Sequence, residues 1–222
     1  MTVLRPAASA PPAEEPRATY HHGDLRRAVL DAAPAILAEL GVDGLTLREA
    51  ARRVGVNHRA VYRHFEDKRA VLAAVAEEGY QALSHEMRQA IERSGATTPA
   101  DRLVALCEGF VRFARREAAR YQVMFGPRLN EDDRFPTLEA AIRATLRIVS
   151  AELKLAGPDT PSVARRDAGI ALWSAVHGFA SLHLSGRVPL SDRHVTRYVD
   201  TVMRPVVLGV IDALRGSTHP TV

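Results

Sequence analysis

The 222-residue chain is poor in cysteine, in aromatic residues and in surplus charge. Its single cysteine, Cys107, cannot close an intramolecular disulfide, which excludes a disulfide-stapled scaffold. No apolar run reaches the roughly 18 residues that a membrane-spanning helix needs, and Met1 to Arg17 lack the apolar core of a signal peptide. A soluble protein of the cytoplasm, with no membrane partner, is the expectation. Only 5% of residues are aromatic and the formal net charge is +4, so bulk charge does not announce a nucleic-acid binder and the position of the surplus matters more than its size. What is present is ordinary globular material, 46% hydrophobic and 25% charged, which excludes wholesale disorder and fibrous repeats.

Residues 1–18 are rich in Pro and Ala without apolar periodicity and are expected to form a flexible arm. From Asp24 onward Leu25, Val29, Ala32, Ala33, Ile36, Leu37 and Leu40 recur at helical spacing, with a kink expected near Leu30 to Pro34 because an interior proline removes one backbone hydrogen bond. Short helices are expected at Thr46 to Arg53, with Thr46 as N-cap, and at Asn57 to His64, with Asn57 capping. Asp67 starts a long helical pattern reaching Arg93, roughly 40 Å at 1.5 Å per residue. Further helical stripes follow through Leu103 to Ala114, Arg120 to Phe125, Pro136 to Gly157, Ser162 to Gly186 and Asp192 to Leu214, with a second kink expected at Pro205. No segment reads as strand, so the fold class is all-α.

Thr46 to Leu72 carries the chemistry. Ala51 is small where two helices cross, Gly55 sits at the turn between them, and Leu47, Ala50, Val54, Val56, Val61 and Phe65 supply apolar contacts. The remaining residues of the second helix, Asn57, His58, Arg59, Tyr62, Arg63 and His64, combine hydrogen-bonding, cationic and aromatic groups suited to base edges and phosphates. Residues 48–69 hold seven basic side chains (Arg48, Arg52, Arg53, Arg59, Arg63, Lys68, Arg69) against three acidic ones (Glu49, Glu66, Asp67), so the whole formal surplus falls on this window.

Here the sequence resembles the TetR family of transcriptional regulators. The resemblance rests on Tyr20-His21-His22-Gly23-Asp24-Leu25-Arg26, on Thr46-Leu47-Arg48, on the Gly55-Val56 turn and on Tyr62-x-His64-Phe65-x-x-Lys68-x-x-Val71-Leu72. The chain departs from the family at Asn57, commonly Ser, which preserves capping, and at Arg59, where a small residue is frequent. The resemblance implies a three-helix helix-turn-helix DNA-binding domain over 19–66, joined by a connecting helix, 67–93, to a helical ligand-binding and dimerisation domain within 67–222. It implies that His58, Arg59 and Arg63 contact bases or nearby phosphates, that Thr46, Tyr62, His64 and Lys68 contact phosphates, and that Arg48 and Asn57 belong to the same surface. Arg17 is expected to add a backbone or minor-groove contact.

Trp173 and His177 lie one helical turn apart, and Trp173-x-x-x-His177-Gly178 resembles the WHG-type C-terminal domain of many TetR-like regulators. The implied cavity would be lined by Phe110, Phe113, Tyr121, Met124, Leu146, Trp173 and His177 and would suit a small hydrophobic or aromatic effector; Trp173 and His177 could equally be interior packing residues. Val195, Tyr198, Val199, Val202, Val206, Val210, Ile211 and Leu214, with Phe179, Leu182 and Leu184, suggest the helices that the family pairs into a homodimer on a palindromic operator. The reading is a repressor, with an activator or effector-independent regulator as the alternative. An enzyme using His177 finds no triad partner in Ser174 or Asp167. No cofactor or metal is expected: His21-His22 lack a third ligand, and Glu131-Asp132-Asp133 lack the spacing of a calcium loop and read as a mobile acidic loop.

Overall fold

A computed structural model describes residues 25–189 and 191–216. The arm 1–18 with Arg17, the Tyr20 to Asp24 part of the family motif and the His21-His22 pair lie outside the described residues. Among the described residues all regular structure is α-helical: α1 Leu25–Gly44, α2 Leu47–Arg53, α3 His58–Tyr62, α4 Lys68–Ser94, α5 Pro99–Arg116, α6 Ala118–Met124, α7 Pro136–Ala156, α8 Ser162–Leu184 and α9 Asp192–Gly216.

The expected kink is displaced. The backbone of α1 keeps helical dihedrals through Pro34 and leaves them at Gly41 (φ 69°, ψ −178°). One missing hydrogen bond at Pro34 is outweighed because Leu30, Ala33, Ile36 and Leu37 on either side are all buried. α9 likewise runs through Pro205 without a break in assignment.

Capping divides the molecule. α2, α3, α4 and α5 each begin under a side-chain oxygen, from Thr46, Asn57, Asp67 and Thr98 respectively, that accepts a first-turn N–H. α6, α7 and α8 start at Glu117, Phe135 and Pro161 without a side-chain cap.

The 27-residue α4 is the spine. It packs on α5, α7 and α6, and its N-terminal end also meets α1. Gly109 allows α5 to approach closely: a Cβ there would stand 2.9 Å from Met87 Cα and from the Glu86 carbonyl oxygen. The buried Glu86 carboxylate (5% exposed) accepts from Arg93 at 2.7 Å and Arg116 at 2.9 Å, with Arg112 at 3.5 Å. Burial pushes its pKa up, and the arginine bonds overcome that and hold it below the ordinary carboxylate value. Ser84 and Thr145 share a buried hydrogen bond of 2.8 Å between α4 and α7, and Arg102 grips Glu152 through two bonds of 2.7 Å between α5 and α7.

The core runs continuously from Leu25 to Leu214. Phe110 lies at its aromatic centre, 1% exposed and within 6.0 Å, ring centre to ring centre, of Tyr121, Phe125 and Trp173. Replacing a fully buried Phe by Ala removes transfer energy and leaves a void, at about 3–5 kcal/mol. Phe110→Ala is therefore expected to destabilise the fold by about that amount, read as a lower urea midpoint; a loss under about 1 kcal/mol would show that the cluster is not the core's centre.

Candidate nucleic-acid interface and ligand sites

α2 and α3 meet at a turn that requires glycine: Gly55 has φ 72°, and the N–H of Val56 returns to the Ala51 carbonyl at 3.0 Å. Ala51 and Val61 are buried at the crossing, as is Phe65, whose ring lies under the Arg26 guanidinium at 5.6 Å. α3 is shorter than the expected Asn57 to His64 segment, because Asn57 serves as N-cap outside the helix and Arg63 forms its C-cap.

Thr46, Arg48, Asn57, His58, Arg59, Tyr62, Arg63 and His64 are all exposed, and Lys68 is half-buried. All nine sequence-predicted residues thus lie on or beside α2, α3 and the first residue of α4. Two of these side chains also hold the backbone: Thr46 Oγ1 accepts the Glu49 N–H at 3.0 Å and Asn57 Oδ1 the Arg59 N–H at 2.9 Å. The His58 and Tyr62 rings meet edge-on at 6.3 Å.

Ion pairing redistributes the basic surplus. Arg52 is bound to Glu49 at 2.6 Å, Arg53 to Glu39 at 2.8 Å, and Arg69 to Asp132. Lys68 Nζ reaches the Asp43 carbonyl at 3.2 Å. Arg48, Arg59 and Arg63 have no ion pair among the described residues, and their charge faces solvent.

The 126–135 loop is tied down rather than mobile. Arg69 Nε donates to the Leu129 carbonyl at 2.7 Å, and its guanidinium pairs with Asp132. Arg134 donates to Asp67 at 2.8 Å and Glu66 at 2.7 Å. Both guanidinium groups lie over the Phe135 ring, at 5.3 and 5.1 Å. The buried Asn130 Oδ1 accepts the Phe135 N–H at 2.7 Å. Asp133 completes the loop in the left-handed region at φ 56°. Burial works against ionisation of Asp67, yet the bonds from Arg134 and the Ala70 N–H hold its carboxyl below the usual range. A second seam links α1, α4 and α6 through Glu78, which takes Arg27 at 2.9 Å and Arg120 at 3.6 Å. None of these pairings is foreseen by the sequence, since partners 42 to 68 residues apart leave no local pattern.

The seven proposed lining residues fall in different places. Phe110, Phe113 and Tyr121 are buried in the core at 1%, 0% and 4% exposure. Tyr121 Oη lies 2.7 Å from His177 Nδ1, and Ser181 Oγ lies 3.4 Å from His177 Nε2. Burial pushes the Tyr121 phenol up to about 12 and the His177 imidazole below its ordinary 6.5, so both are neutral at pH 7. Tyr121, His177 and Ser181 thus form one neutral hydrogen-bonded group. The half-buried Phe125 and Trp173 rings close the box. Leu146 and Trp173 instead border a groove of about 340 Å³ between α7 and α8. Met124 borders a cavity of about 320 Å³ among α4, α6, the 126–130 loop and α7. The Met124 side chain packs against Gly79, where a Cβ would stand 2.4 Å from its Sδ. Cys107 is fully buried, and burial pushes its thiol up to about 12, consistent with packing rather than reactivity.

Residues 29–75 match the tetR family of bacterial regulatory proteins, and residues 103–206 match the tetracyclin repressor-like C-terminal domain. The chain is 55% identical over 49 residues to the class A tetracycline repressor from transposon 1721 of Escherichia coli, a match covering 22% of this chain and 23% of that protein. Similarity to the tetracycline repressors thus spans about a quarter of their length. An uncharacterized HTH-type transcriptional regulator of Mycobacterium tuberculosis is 28% identical over 184 residues, covering 81% of this chain and 78% of that one. Among solved structures, a protein of unknown function from Rhodococcus sp. RHA1 aligns with TM-score 0.68 and 29% identity over 91% of this chain and 100% of its own. The TetR-family regulator PfmR of Thermus thermophilus aligns with TM-score 0.58 and 16% identity over 79% of this chain and 97% of its own, which shows the shared fold. Among the described residues no helix is long and apolar enough to cross a membrane. A capped helix-turn-helix with an exposed basic second helix, followed by a matching C-terminal domain, identifies the chain as a member of the TetR family, DNA-binding transcriptional regulators rather than enzymes.

Proposed function

We propose that this regulator is a repressor that binds a palindromic operator as a homodimer and is released by a small hydrophobic or aromatic effector. The observation that carries the DNA reading is the set of unpaired charges on α3 and its neighbourhood: Arg48, Arg59 and Arg63 are exposed without acidic partners, beside His58 and Tyr62. In this reading residues 19–66 form the DNA-binding domain and 67–222 the ligand-binding and dimerisation domain. His58, Arg59 and Arg63 contact base edges or adjacent phosphates, and Thr46, Arg48, Asn57, Tyr62, His64 and Lys68 position the helix on the backbone. Relatives named tetracycline repressors support the sign of the regulation.

Dimerisation is supported by what the chain leaves uncovered. Val195, Val199, Val210, Ile211 and Leu214 of α9 are buried within the chain itself, against α5 and α8. The outer stripes keep Val163, Ile170 and Leu182 on α8 and Tyr198 and Leu208 on α9, each at least 42% exposed. Between them runs a groove walled by Ala164, Ala171, Gly209 and Ala213, small enough for a partner helix to approach closely. Two copies paired through this face would present two reading helices to successive half-sites.

After selection of a preferred sequence from random duplex DNA, Arg59→Ala is expected to weaken binding to it by about 1–3 kcal/mol, with a smaller loss on unselected DNA. Equal losses on both would demote Arg59 to a phosphate contact. Wild-type affinity should fall steeply and log-linearly with salt, and a flat dependence would contradict the interface. Ile170→Asp should shift the sedimenting species from dimer toward monomer and weaken operator binding in parallel; an unaltered dimer would place the pairing face elsewhere.

A further inference from the structure

The effector reading above, on which this inference rests, needs a place for the ligand and a route from it to the DNA-binding end. The cavity among α4, α6 and α7 answers both. Its wall is apolar over most of its extent, from Tyr80, Met124, Leu129, Leu138 and Ile142, and encloses about 320 Å³. Besides the charged Arg128 and Glu139, its polar side chains are Tyr80 and Asn130. Tyr80 Oη donates to the Met124 carbonyl at 3.0 Å. Asn130, also in the wall and 3% exposed, has its amide orientation fixed because Oδ1 accepts the Phe135 N–H. That leaves Nδ2, which has no hydrogen-bond partner and no contact with solvent. Buried donors are normally satisfied, so this amide is a standing incentive for an acceptor. The two charged residues of the wall, Arg128 and Glu139, are of opposite sign, so the lining carries no net formal charge to select an anion.

We propose that this cavity binds a neutral, mainly apolar small molecule bearing a carbonyl-type acceptor, with Asn130 Nδ2 as its anchor, and that the 126–135 loop carries its occupancy to α3 and α4. The coupling follows from the seal. Nδ2 is closed to solvent, so an acceptor reaches it only when the 126–130 wall yields. Leu129, the residue before Asn130, holds Arg69 through its carbonyl, and Asp132 and Arg134, two and four residues after Asn130, grip Arg69, Asp67 and Glu66. Asp67 is the N-cap of α4, and Glu66 lies between it and the recognition helix. Opening the wall therefore loosens the bonds that hold the α3–α4 connection and the start of α4 to the 126–135 loop.

The test uses three bicyclic probes of matched size: 1-tetralone, tetralin, which lacks the acceptor, and 1-naphthoate, which is anionic. Calorimetry on the full chain is expected to show 1-tetralone binding at least tenfold tighter than the other two. Asn130→Asp keeps the acceptor for the Phe135 N–H but removes the donor, and should erase the preference over tetralin. In the wild-type protein, the Asn130 side-chain NH2 resonances should shift with 1-tetralone and not with tetralin, a readout independent of how the variant folds. Equal binding of 1-tetralone and tetralin, an undiminished preference in Asn130→Asp, or unmoved NH2 resonances would overturn the anchor. Adding 1-tetralone should weaken binding to the selected DNA at least tenfold in the wild type but under twofold in Arg69→Gln/Arg134→Gln; equal weakening in both would overturn the loop's role. Preferential binding at Asn130 without any release of DNA would sink the effector reading while leaving the site in place.

Discussion

Asp67 holds two parts of the molecule with one carboxylate. Oδ1 accepts the Ala70 N–H and so starts α4, and Oδ2 takes Arg134 from a loop 67 residues away. The start of the connecting helix and the position of the 126–135 loop are thereby the same constraint. Arg69, two residues on, repeats the link through the Leu129 carbonyl and Asp132. Among the described residues, α1 to α3 are tied to the rest of the chain through this junction, through the Glu78 seam and through the packing of α1 on α4 and α6. Exposed ion pairs are individually worth little. Their value here is geometric, because they converge on one helix end and stack on one ring, Phe135.

The same pairs change the meaning of the chain's charge. Counted along the sequence, residues 48–69 hold the whole formal surplus. In space Arg52, Arg53 and Arg69 are neutralised by Glu49, Glu39 and Asp132, two of which lie outside that window. What faces solvent without a partner is a smaller set, Arg48, Arg59 and Arg63. The positive field is thus narrower than a window count implies, and is concentrated on the helix whose turn and caps hold it rigid.

The helices themselves were legible in the sequence because their signals are local: apolar spacing, Thr46, Asn57 and Asp67 as caps, and Gly55 at a turn needing positive φ. Pro34 misleads because the proline's cost is local while the packing that absorbs it is tertiary. The acidic loop misleads for the converse reason, since Asp132 looks solvated until Arg69, 63 residues earlier, is placed beside it. The α9 stripe is apolar on more than one face, and no local pattern tells which valines α5 and α8 cover and which face remains. Phe110 meets Trp173 and Tyr121 meets His177, but periodicity cannot separate a filled core from a cavity. Phe110, Phe113 and Tyr121 fill the first, and Met124 borders the second.

The uneven capping of the helices sets a gradient of local stability. Side-chain caps contribute on the order of 1 kcal/mol each at a helix start, and the helices from α2 to α5 have them while α6, α7 and α8 do not. First-turn amides of the uncapped helices will open to solvent by fraying more readily than those that present the basic surface. The chain is stiff where it must hold a fixed shape and yielding around its interior spaces. α6 belongs to the yielding part, so the first element to loosen is also one that touches α1 and walls the cavity, and small local openings there are transmitted rather than dissipated.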